Sequence, residues 1–422
     1  MRLTRRHFTK LGVAASAGLA APAIWTKGSF AQSDKIRVGC SASLTGPLSG
    51  TKNMVIGYEL WRDDVNAAGG LLGKEVELIV YDDQSSPSNA PAIYSKLVDV
   101  DQVDFLFTPY GANLTATIMP FAQQRDRFIV GILTLASNDK LKHDKFFQAA
   151  PWGPDGATNW ARGFFDIAER DGVKKMAILA ADTEFSKTAA EGGRRVSEEM
   201  GMEVVDFQMY PPTNRDFSAI LRNIKAAEPE AVFVCSYPAD STAILRGIQE
   251  IGLNDSVRLF GGGMVGPQYA SLMENLGPAL NGVVNFHLYV PEPTLKFEGI
   301  ENFLSRYEPI AKQQQVDPLG FYIPPFTYAA GQLISAAVEA TGSIDQAEVS
   351  QWLHANPVET VVGQINFDEI GNWTERRVLM VQFQGVDDSG LDQFRQAGKE
   401  VVIDPADYAS GELIPFADAR KA

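Results

Sequence analysis

Strand-like and helix-like segments alternate along this chain from residue 35 onward, and this order constrains the fold more than any other feature. Short runs rich in β-branched and other apolar residues, such as 36–40, precede amphipathic stretches of ten or more residues, such as 54–66. Strands that alternate with helices are typical of parallel sheets covered by helices. The sequence therefore predicts an α/β fold with doubly wound, Rossmann-like sheets.

The alternation runs twice along the chain, which predicts two lobes with a cleft between them. The first run predicts strands at 36–40, 76–81, 103–108 and 128–133 and helices at 54–66, 90–99 and 114–124. The second, starting near 146–151, predicts helices at 158–170, 189–200, 217–227 and 241–252 and strands at 175–180, 203–210, 231–237 and 257–261. The rest predicts a return crossing at 283–291, helices at 300–314 and 325–341 that rejoin the first lobe, and strands at 378–384 and 400–403. We expect lobe 1 to comprise residues 35–150 and 292–360 and lobe 2 to comprise 151–283 and 361–405.

The first 31 residues predict an export leader. Arg5 and Arg6 precede an apolar, small-residue run at 11–24, and residues 29–31 offer a small-x-small cleavage site. Thr4 before the pair and Phe8 after it favour a twin-arginine leader over an ordinary secretory one, and either type predicts a protein of the periplasm. The apolar run is about fourteen residues, shorter than the ~20 needed to cross a bilayer. No later segment approaches that length, so we expect no membrane span.

Charge and cysteine content narrow the partners and the covalent chemistry. The leader carries five basic residues and no acidic ones, so its removal changes the formal net charge from −15 to about −20. A surface this negative repels nucleic acid and anionic lipid, and neither is expected as a partner. Cys40 and Cys235 each lie in an apolar, strand-like run, which predicts two buried free thiols rather than a disulfide.

Small and hydroxylic residues follow two of the predicted strands, at 110–115 and at 134–138. In open α/β sheets the ligand site lies at the carboxyl ends of the strands, beside helix N-termini that favour anions. Such loops let backbone N–H groups approach a carboxylate. Asn113 and Ser137 can equally cap their helices, and the two roles are compatible.

The sequence gives little support to an enzyme. His143, His287 and His354 are isolated, without the spacing of a metal site. There is no Gly-x-Ser-x-Gly elbow for a serine nucleophile, and the stretch 46–52 departs from a phosphate-binding loop. We therefore expect no catalytic residue, no metal and no cofactor.

Several motifs, taken in order, resemble those of one family of receptors. They are Gly46-Pro47; 66–70 with Gly73; 81–84; 215–218; Asp317-Pro318 ahead of 328–330; and 363–368 with Gly371. Their order and spacing resemble the type I periplasmic binding proteins, in the branch of leucine/isoleucine/valine-binding proteins and of amide or aromatic-acid receptors. The resemblance covers nearly all of the chain after the leader. It implies two lobes joined by a three-segment hinge, and a monomeric receptor that delivers one small molecule to an ABC permease with a cytoplasmic ATPase.

The resemblance also implies where the ligand binds. The carboxylate-holding loops match 110–113 and 135–137, with Ala112 where relatives have a hydroxyl, and further contacts match aromatic positions in both lobes. The implied ligand-binding residues are Tyr110, Gly111, Ala112, Asn113, Leu135, Ala136, Ser137, Phe185, Tyr237, Met264 and Tyr322.

One departure from the family bears on the ligand. Amino-acid-binding relatives place an acidic residue at the position that matches Gly263, to pair the ligand's ammonium, and no carboxylate lies between Phe260 and Ser271. Asp240 on a neighbouring loop is a possible substitute. An ammonium buried without a counter-charge costs several kcal/mol. We therefore expect an apolar or aromatic carboxylate, or an amide, as the ligand.

Three alternatives stay open at this point. A branched-chain amino acid-binding protein would accept the ammonium without an acid at Gly263. A two-lobed ligand sensor would share the fold and differ in the partner it docks to. A periplasmic hydrolase would need a nucleophile beside a base, which the sequence does not offer. Trp152 and Trp160 favour an aromatic ligand, whereas Met264 suits a flexible aliphatic one.

Overall fold

The computed structural model describes residues 35–420. The predicted leader, residues 1–31, lies outside them and stays a prediction. The strands are β1 (Lys35–Ala42), β2 (Glu75–Asp82), β3 (Phe105–Phe107), β4 (Ile129–Gly131), β5 (Phe146–Gln148), β6 (Lys175–Ala181), β7 (Glu203–Tyr210), β8 (Ala231–Ser236), β9 (Leu259–Met264), β10 (Val284–His287), β11 (Val358–Thr360), β12 (Gly363–Ile365), β13 (Leu379–Phe383) and β14 (Glu400–Asp404). The helices are α1 (Met54–Ala67), α2 (Ala90–Asp99), α3 (Gly111–Gln124), α4 (Gly156–Arg170), α5 (Glu184–Glu199), α6 (Ser218–Ala226), α7 (Pro238–Ile251), α8 (Ala270–Leu276), α9 (Ile300–Gln314), α10 (Pro324–Thr341), α11 (Gln346–Ala355) and α12 (Phe416–Ala419).

Two separate sheets form the centres of two lobes. The first has the order β2-β1-β3-β4-β5, and all of its strands are parallel. The second has the order β14-β13-β10-β9-β8-β6-β7, parallel from β7 to β10 and antiparallel at β13 and β14. The predicted α/β fold of two doubly wound lobes is confirmed, and the order of the first sheet is that of flavodoxin-like proteins.

The central strands are buried on both faces, which explains their continuous apolar sequences. Phe105, Leu106 and Phe107 form β3, and none of the three is exposed. Parallel sheets covered by helices on both sides produce such runs instead of an alternating pattern. Cys40 in β1 and Cys235 in β8 are free and fully buried, which confirms the prediction of two buried thiols.

Helices α9 and α10, which come after β10 in the sequence, pack on α1 of the first lobe. A Cβ placed on Gly331 of α10 would overlap the indole ring of Trp61 in α1. The same indole donates a hydrogen bond from Nε1 to Ser335 Oγ, at 2.9 Å. Glycine at position 331 therefore allows α10 to lie close against α1.

Some elements differ from the prediction. Residues 283–291, predicted as a crossing between lobes, contain β10, which lies between β9 and β13 in the second sheet. Strand β5, helix α11 and the hairpin of β11 and β12 were not predicted. The three strands among them have three residues each, too few to show a period in the sequence.

Among residues 35–420, no helix combines the length and the apolar composition needed to cross a bilayer. The same part of the chain holds no group of three or more His, Cys, Asp or Glu side chains arranged to bind a metal ion.

Candidate ligand-binding site

Loops at the carboxyl ends of strands from both sheets meet around one cavity. The cavity volume is about 20 Å³, little more than one water molecule needs, so the lobes must move apart to admit a ligand. Its lining consists of Tyr110, Gly111, Ala112, Leu133, Leu135, Trp152, Trp160, Phe185, Tyr237, Val265, Phe286 and Tyr322. The cavity lies where ligands bind in open α/β sheets, beyond the ends of parallel strands.

The walls of this cavity are aromatic and uncharged. Trp160 is central to them: its ring lies 5.3 Å from that of Phe185, 4.8 Å from that of Phe286 and 6.5 Å from that of Trp152, centroid to centroid. No acidic or basic residue belongs to the lining. A flat, apolar molecule can stack edge-on or offset against such rings.

The local sequence of α4 explains why Trp160 reaches the cavity. Its buried residues include Trp160, Phe164, Phe165 and Ala168, a spacing that places them on one face of the helix. Phe164 packs on Phe233 of β8 with ring centroids 5.2 Å apart, and this contact holds α4 against the second sheet. Trp160, one turn earlier on the same face, then extends beyond the end of the sheet.

Trp160 and the neighbouring strand β8 together occupy the space that a side chain at position 263 would need. A Cβ built on Gly263 would lie 3.0 Å from the Trp160 ring, 2.8 Å from the carbonyl oxygen of Val234 and 2.9 Å from Cys235 Sγ. Such contacts are tighter than real Cβ atoms tolerate. An acidic side chain therefore has no room at position 263, where the Val234 carbonyl oxygen and Cys235 Sγ are the nearest obstacles and the Trp160 ring is the third.

Asp240, the carboxylate considered as a substitute, is engaged elsewhere. Its Oδ2 accepts a hydrogen bond from the Tyr210 hydroxyl at 3.3 Å, and the Arg215 guanidinium lies 3.8 Å from Oδ1. Burial raises the pKa of Asp240, against the opposing effect of these two partners. Asp240 does not belong to the cavity lining.

The N-terminus of α3 supplies hydrogen-bond donors at the cavity. Tyr110 has an extended backbone, and Gly111 has a φ of +75°, which glycine adopts without strain, so the chain turns sharply into the helix. No side chain caps α3, and its first turn contains no acidic residue. The Gly111 N–H already donates to the Ile132 carbonyl oxygen at 3.1 Å. The remaining N–H groups of the first turn and the partial positive charge of this helix end are available to an anion.

Side-chain donors add to these backbone groups. The Trp160 Nε1–H is buried and has no hydrogen-bond partner. The hydroxyls of Tyr110 and Tyr322 lie 3.0 Å apart. Burial raises the pKa of Tyr110, Tyr237 and Tyr322, so all three stay protonated at neutral pH and can donate hydrogen bonds.

Asn113 joins the two lobes across the mouth of the cavity. Its Oδ1 accepts a hydrogen bond from the backbone N–H of Phe185, at 3.1 Å, and its Nδ2 donates to the Tyr237 hydroxyl, at 2.8 Å. Asn113 belongs to α3 in the first lobe, whereas Phe185 and Tyr237 lie at the starts of α5 and α7 in the second. We call this three-residue contact the Asn113 bridge.

A profile of the family described as periplasmic binding protein matches residues 35–390. The chain belongs to the periplasmic binding proteins. Members of this family are binding proteins, and the resemblance drawn from the motifs is confirmed.

Individual relatives are more distant. The chain is 26% identical over 344 residues to a leucine-, isoleucine-, valine-, threonine- and alanine-binding protein of Pseudomonas aeruginosa. The matched region covers 80% of this chain and 87% of the relative. A structure titled as a putative branched-chain amino acid ABC transporter from Silicibacter pomeroyi superposes with a TM-score of 0.73 at 22% identity, over 90% of this chain and 100% of that one. A solute binding protein of an ABC transporter from Rhodopseudomonas palustris, in complex with 3,4-dihydroxybenzoic acid, superposes with a TM-score of 0.68 at 22% identity, over 84% and 94%. At these identities the structures show the fold alone.

The cavity of this periplasmic binding protein gathers seven of the eleven residues that the sequence implied. Tyr110, Gly111, Ala112, Leu135, Phe185, Tyr237 and Tyr322 line it, whereas Asn113, Ala136, Ser137 and Met264 do not. Ser137 donates its hydroxyl hydrogen to the Thr134 carbonyl oxygen at 2.6 Å, within its own turn. Met264 is the buried last residue of β9, and the next residue, Val265, lines the cavity instead.

Leu133, Trp152, Trp160, Val265 and Phe286 were outside the implied set and line the cavity. Trp152 and Trp160 had a signal in the sequence, because both are large aromatic residues near the start of the second predicted run of strands and helices. Phe286 had none, since it lies in β10, within a segment predicted to be a crossing.

Proposed function

We propose that this periplasmic binding protein is the solute receptor of an ABC importer and that it binds a small aromatic or apolar carboxylate in its cleft. The observation that carries this proposal is the uncharged aromatic cavity in which Trp160 fills the space beside Gly263. The donors around the cavity complement an acid group, and its rings complement an apolar body. An amide is the neutral variant of the same ligand class.

The balance of charges favours a ligand without an ammonium group. A zwitterionic amino acid would bring its ammonium into a cavity that offers no carboxylate, at a cost of several kcal/mol. A carboxylate instead meets the α3 N-terminus and the unpartnered Trp160 Nε1–H. Hydrogen bonds to a charged group contribute about 1.5–3 kcal/mol each, so these donors can compensate for the loss of hydration.

Two of the similar proteins support different ligand classes. The Rhodopseudomonas palustris protein of the same fold was solved with 3,4-dihydroxybenzoic acid, a planar aromatic acid. The Pseudomonas aeruginosa relative is named for leucine and other amino acids. A branched-chain amino acid receptor is therefore the second candidate function.

Calorimetric titration with matched ligand pairs separates the two candidates. Leucine and 4-methylpentanoate share the same carbon skeleton and carboxylate and differ in the ammonium alone; phenylalanine and 3-phenylpropanoate form an aromatic pair. Benzoate and 3,4-dihydroxybenzoate complete the set. We expect binding by members without the ammonium, and a thermal stabilisation of about 2.7 kcal/mol at one hundred times the dissociation constant. Micromolar leucine binding together with no response to any of these acids would refute the proposal.

We further propose that the protein works in the periplasm as a monomer and docks to a permease with a cytoplasmic ATPase. The lobes would be residues 35–150 with 292–360 and, with β10 assigned to the second sheet, 151–287 with 361–405, and the three crossings between them would form the hinge. Light scattering of the purified protein tests the oligomeric state. Ligand uptake that depends on a permease and ATPase encoded beside this gene would separate a transport receptor from a sensor.

A further inference from the structure

A second pocket lies outside the cleft and shares no lining residue with it. Its volume is about 690 Å³. Four stretches of chain line it: 296–298 before α9, 359–366 around the β11–β12 hairpin, 373–377 before β13, and 405–408 after β14. Residue Gln332 of α10 completes the wall. All of these segments come after β10 in the sequence.

Arg377 forms part of this pocket and is nine-tenths buried, with 8% of its surface exposed. Its guanidinium lies between two rings, 4.6 Å from the centroid of Phe297 and 4.8 Å from that of Trp373. Its Nη2 donates a hydrogen bond to the carbonyl oxygen of Val362. The two rings hold the guanidinium in a flat slot through cation–π contact.

The charge of Arg377 has no acidic counterpart. Its Nε is buried without a hydrogen-bond partner, and among residues 35–420 no carboxylate oxygen lies within 4 Å of its guanidinium. Burial lowers its pKa to about 10, with the Tyr408 hydroxyl as a partner that acts in the opposite direction. It is thus still a cation at neutral pH. A buried cation of this kind is normally paired, because leaving it unpaired costs several kcal/mol.

The neighbouring arginine shows the contrast. Arg376 lines the same pocket and is paired twice, with Asp404 Oδ2 at 2.9 Å and Asp166 Oδ2 at 3.2 Å. The chain therefore supplies two carboxylates to the more exposed arginine and none to the buried one. The lack of a carboxylate partner is therefore particular to Arg377 and not shared by the neighbouring arginine.

Gly363 leaves space beside the guanidinium. Its φ is +87°, and a Cβ built on it would lie 2.8 Å from Arg377 Nη1 and 3.0 Å from the Phe297 ring. Any larger residue here would press on the charged group and would also strain the backbone. Glycine keeps this side of the slot open.

The charges at the pocket mouth limit what can enter. Glu298, Glu359, Glu375 and Asp407 are exposed there, together with Lys296. Exposed charges are screened by water and salt, so they do not neutralise Arg377 at the floor. They disfavour a multiply charged anion such as phosphate more than a singly charged one.

We propose that this pocket is a second ligand site, which binds a small monocarboxylate with its planar acid group on Arg377, in the slot between Phe297 and Trp373. The fork of a guanidinium matches the two oxygens of a carboxylate. This site is separate from the aromatic cleft, and its existence does not depend on what the cleft binds.

Titration of the mature protein with sodium acetate tests the site, with the Arg Nε–H resonances followed by NMR at constant ionic strength in chloride. We expect a saturable shift of the Arg377 resonance, and at least tenfold weaker binding of inorganic phosphate. Arg377→Gln should lower the acetate affinity about 10- to 100-fold. The matched variant Lys296→Gln, at the exposed rim of the same pocket, should change it less than twofold.

Acetate binding that survives Arg377→Gln, or equal loss in both variants, would overturn the proposal, as would a phosphate affinity equal to that for acetate. Because Arg377 is buried, the Arg377→Gln variant can fail to fold. In that case crystallography of the unchanged protein tests the site. Crystals grown without carboxylates and soaked in acetate should show a carboxylate within hydrogen-bond distance of the Arg377 guanidinium. If the slot stays empty in these crystals at acetate concentrations that saturate the binding seen in solution, the proposal is also overturned.

Discussion

Removal of the Asn113 bridge should weaken the closed arrangement of the two lobes. The bridge consists of two hydrogen bonds, from the Phe185 backbone N–H at 3.1 Å and to the Tyr237 hydroxyl at 2.8 Å, and both break when the cleft opens. Asn113→Ala deletes both while leaving the α3 backbone and the cavity lining in place. The variant therefore changes the contact between lobes more than the site itself.

The expected change in the free energy of closure follows from these two hydrogen bonds. A hydrogen bond contributes a net ~0.5–1.5 kcal/mol, so the loss of both should disfavour closure by about 1–3 kcal/mol. This corresponds to a shift of about 5- to 150-fold in the equilibrium between closed and open forms. Ligand affinity should fall by the factor by which the closed fraction falls, because the ligand binds between closed lobes.

Single-molecule energy transfer between dyes on the two lobes measures this equilibrium directly. Tyr237→Phe removes one of the two bonds and should give a smaller shift, and the double variant with Asn113→Ala should give less than the sum. Thr117→Ala is the matched control, since its hydroxyl donates within α3, to the Leu114 carbonyl oxygen at 2.7 Å. If Asn113→Ala shifts the equilibrium no more than Thr117→Ala does, the bridge does not hold the lobes together.

Three further predictions concern the cleft and the second sheet. Trp160→Phe keeps a ring but removes the unpartnered Nε1–H, so calorimetry should show a carboxylate affinity about 10- to 100-fold lower; an unchanged affinity contradicts the assigned donor. Gly263→Asp should destabilise the protein by about 1–3 kcal/mol in urea unfolding without creating leucine binding, because Val234, Cys235 and Trp160 leave no room for the side chain. Burial raises the pKa of Glu400 well above its usual value of 4.5, and its neighbour His287, 3.2 Å away, has a pKa lowered to about 3. Folded Glu400 therefore keeps its proton to a higher pH than the unfolded chain does, so the stability of Glu400→Gln relative to the parent should increase as the pH rises above 4.5. Urea unfolding between pH 4 and 8 measures this, and a constant difference contradicts it.

Elements with a clear period and clear boundaries could be predicted from the sequence. Helix α9, predicted at 300–314, has those bounds in the structure, as do α2 at 90–99 and β7 at 203–210. Each has enough residues to show a period, and residues that favour turns or helix ends flank it. Strand β5 lacks this information, since its three residues are too few to show a period and its pairing with β4 defines it.

The site could be predicted where it depends on backbone position. Tyr110, Gly111 and Ala112 follow a strand and begin a helix, and this order alone places them at the cleft. Met264 and Val265 show the limit of such reasoning. Adjacent residues at a strand end point to opposite sides, so an error of one position exchanges a core residue for a lining residue. Phe286 depends on how β10 joins the second sheet, which no local pattern reveals.

The crowding around position 263 has an evolutionary consequence. A descendant of this receptor that acquires an acid at 263 meets a steric conflict, and one that loses the indole still has the Val234 carbonyl oxygen and Cys235 Sγ in the way. Neither single step improves the recognition of a zwitterion. Conversion of this scaffold between ligand classes therefore requires more than one substitution and a shift of the β8 backbone beside position 263.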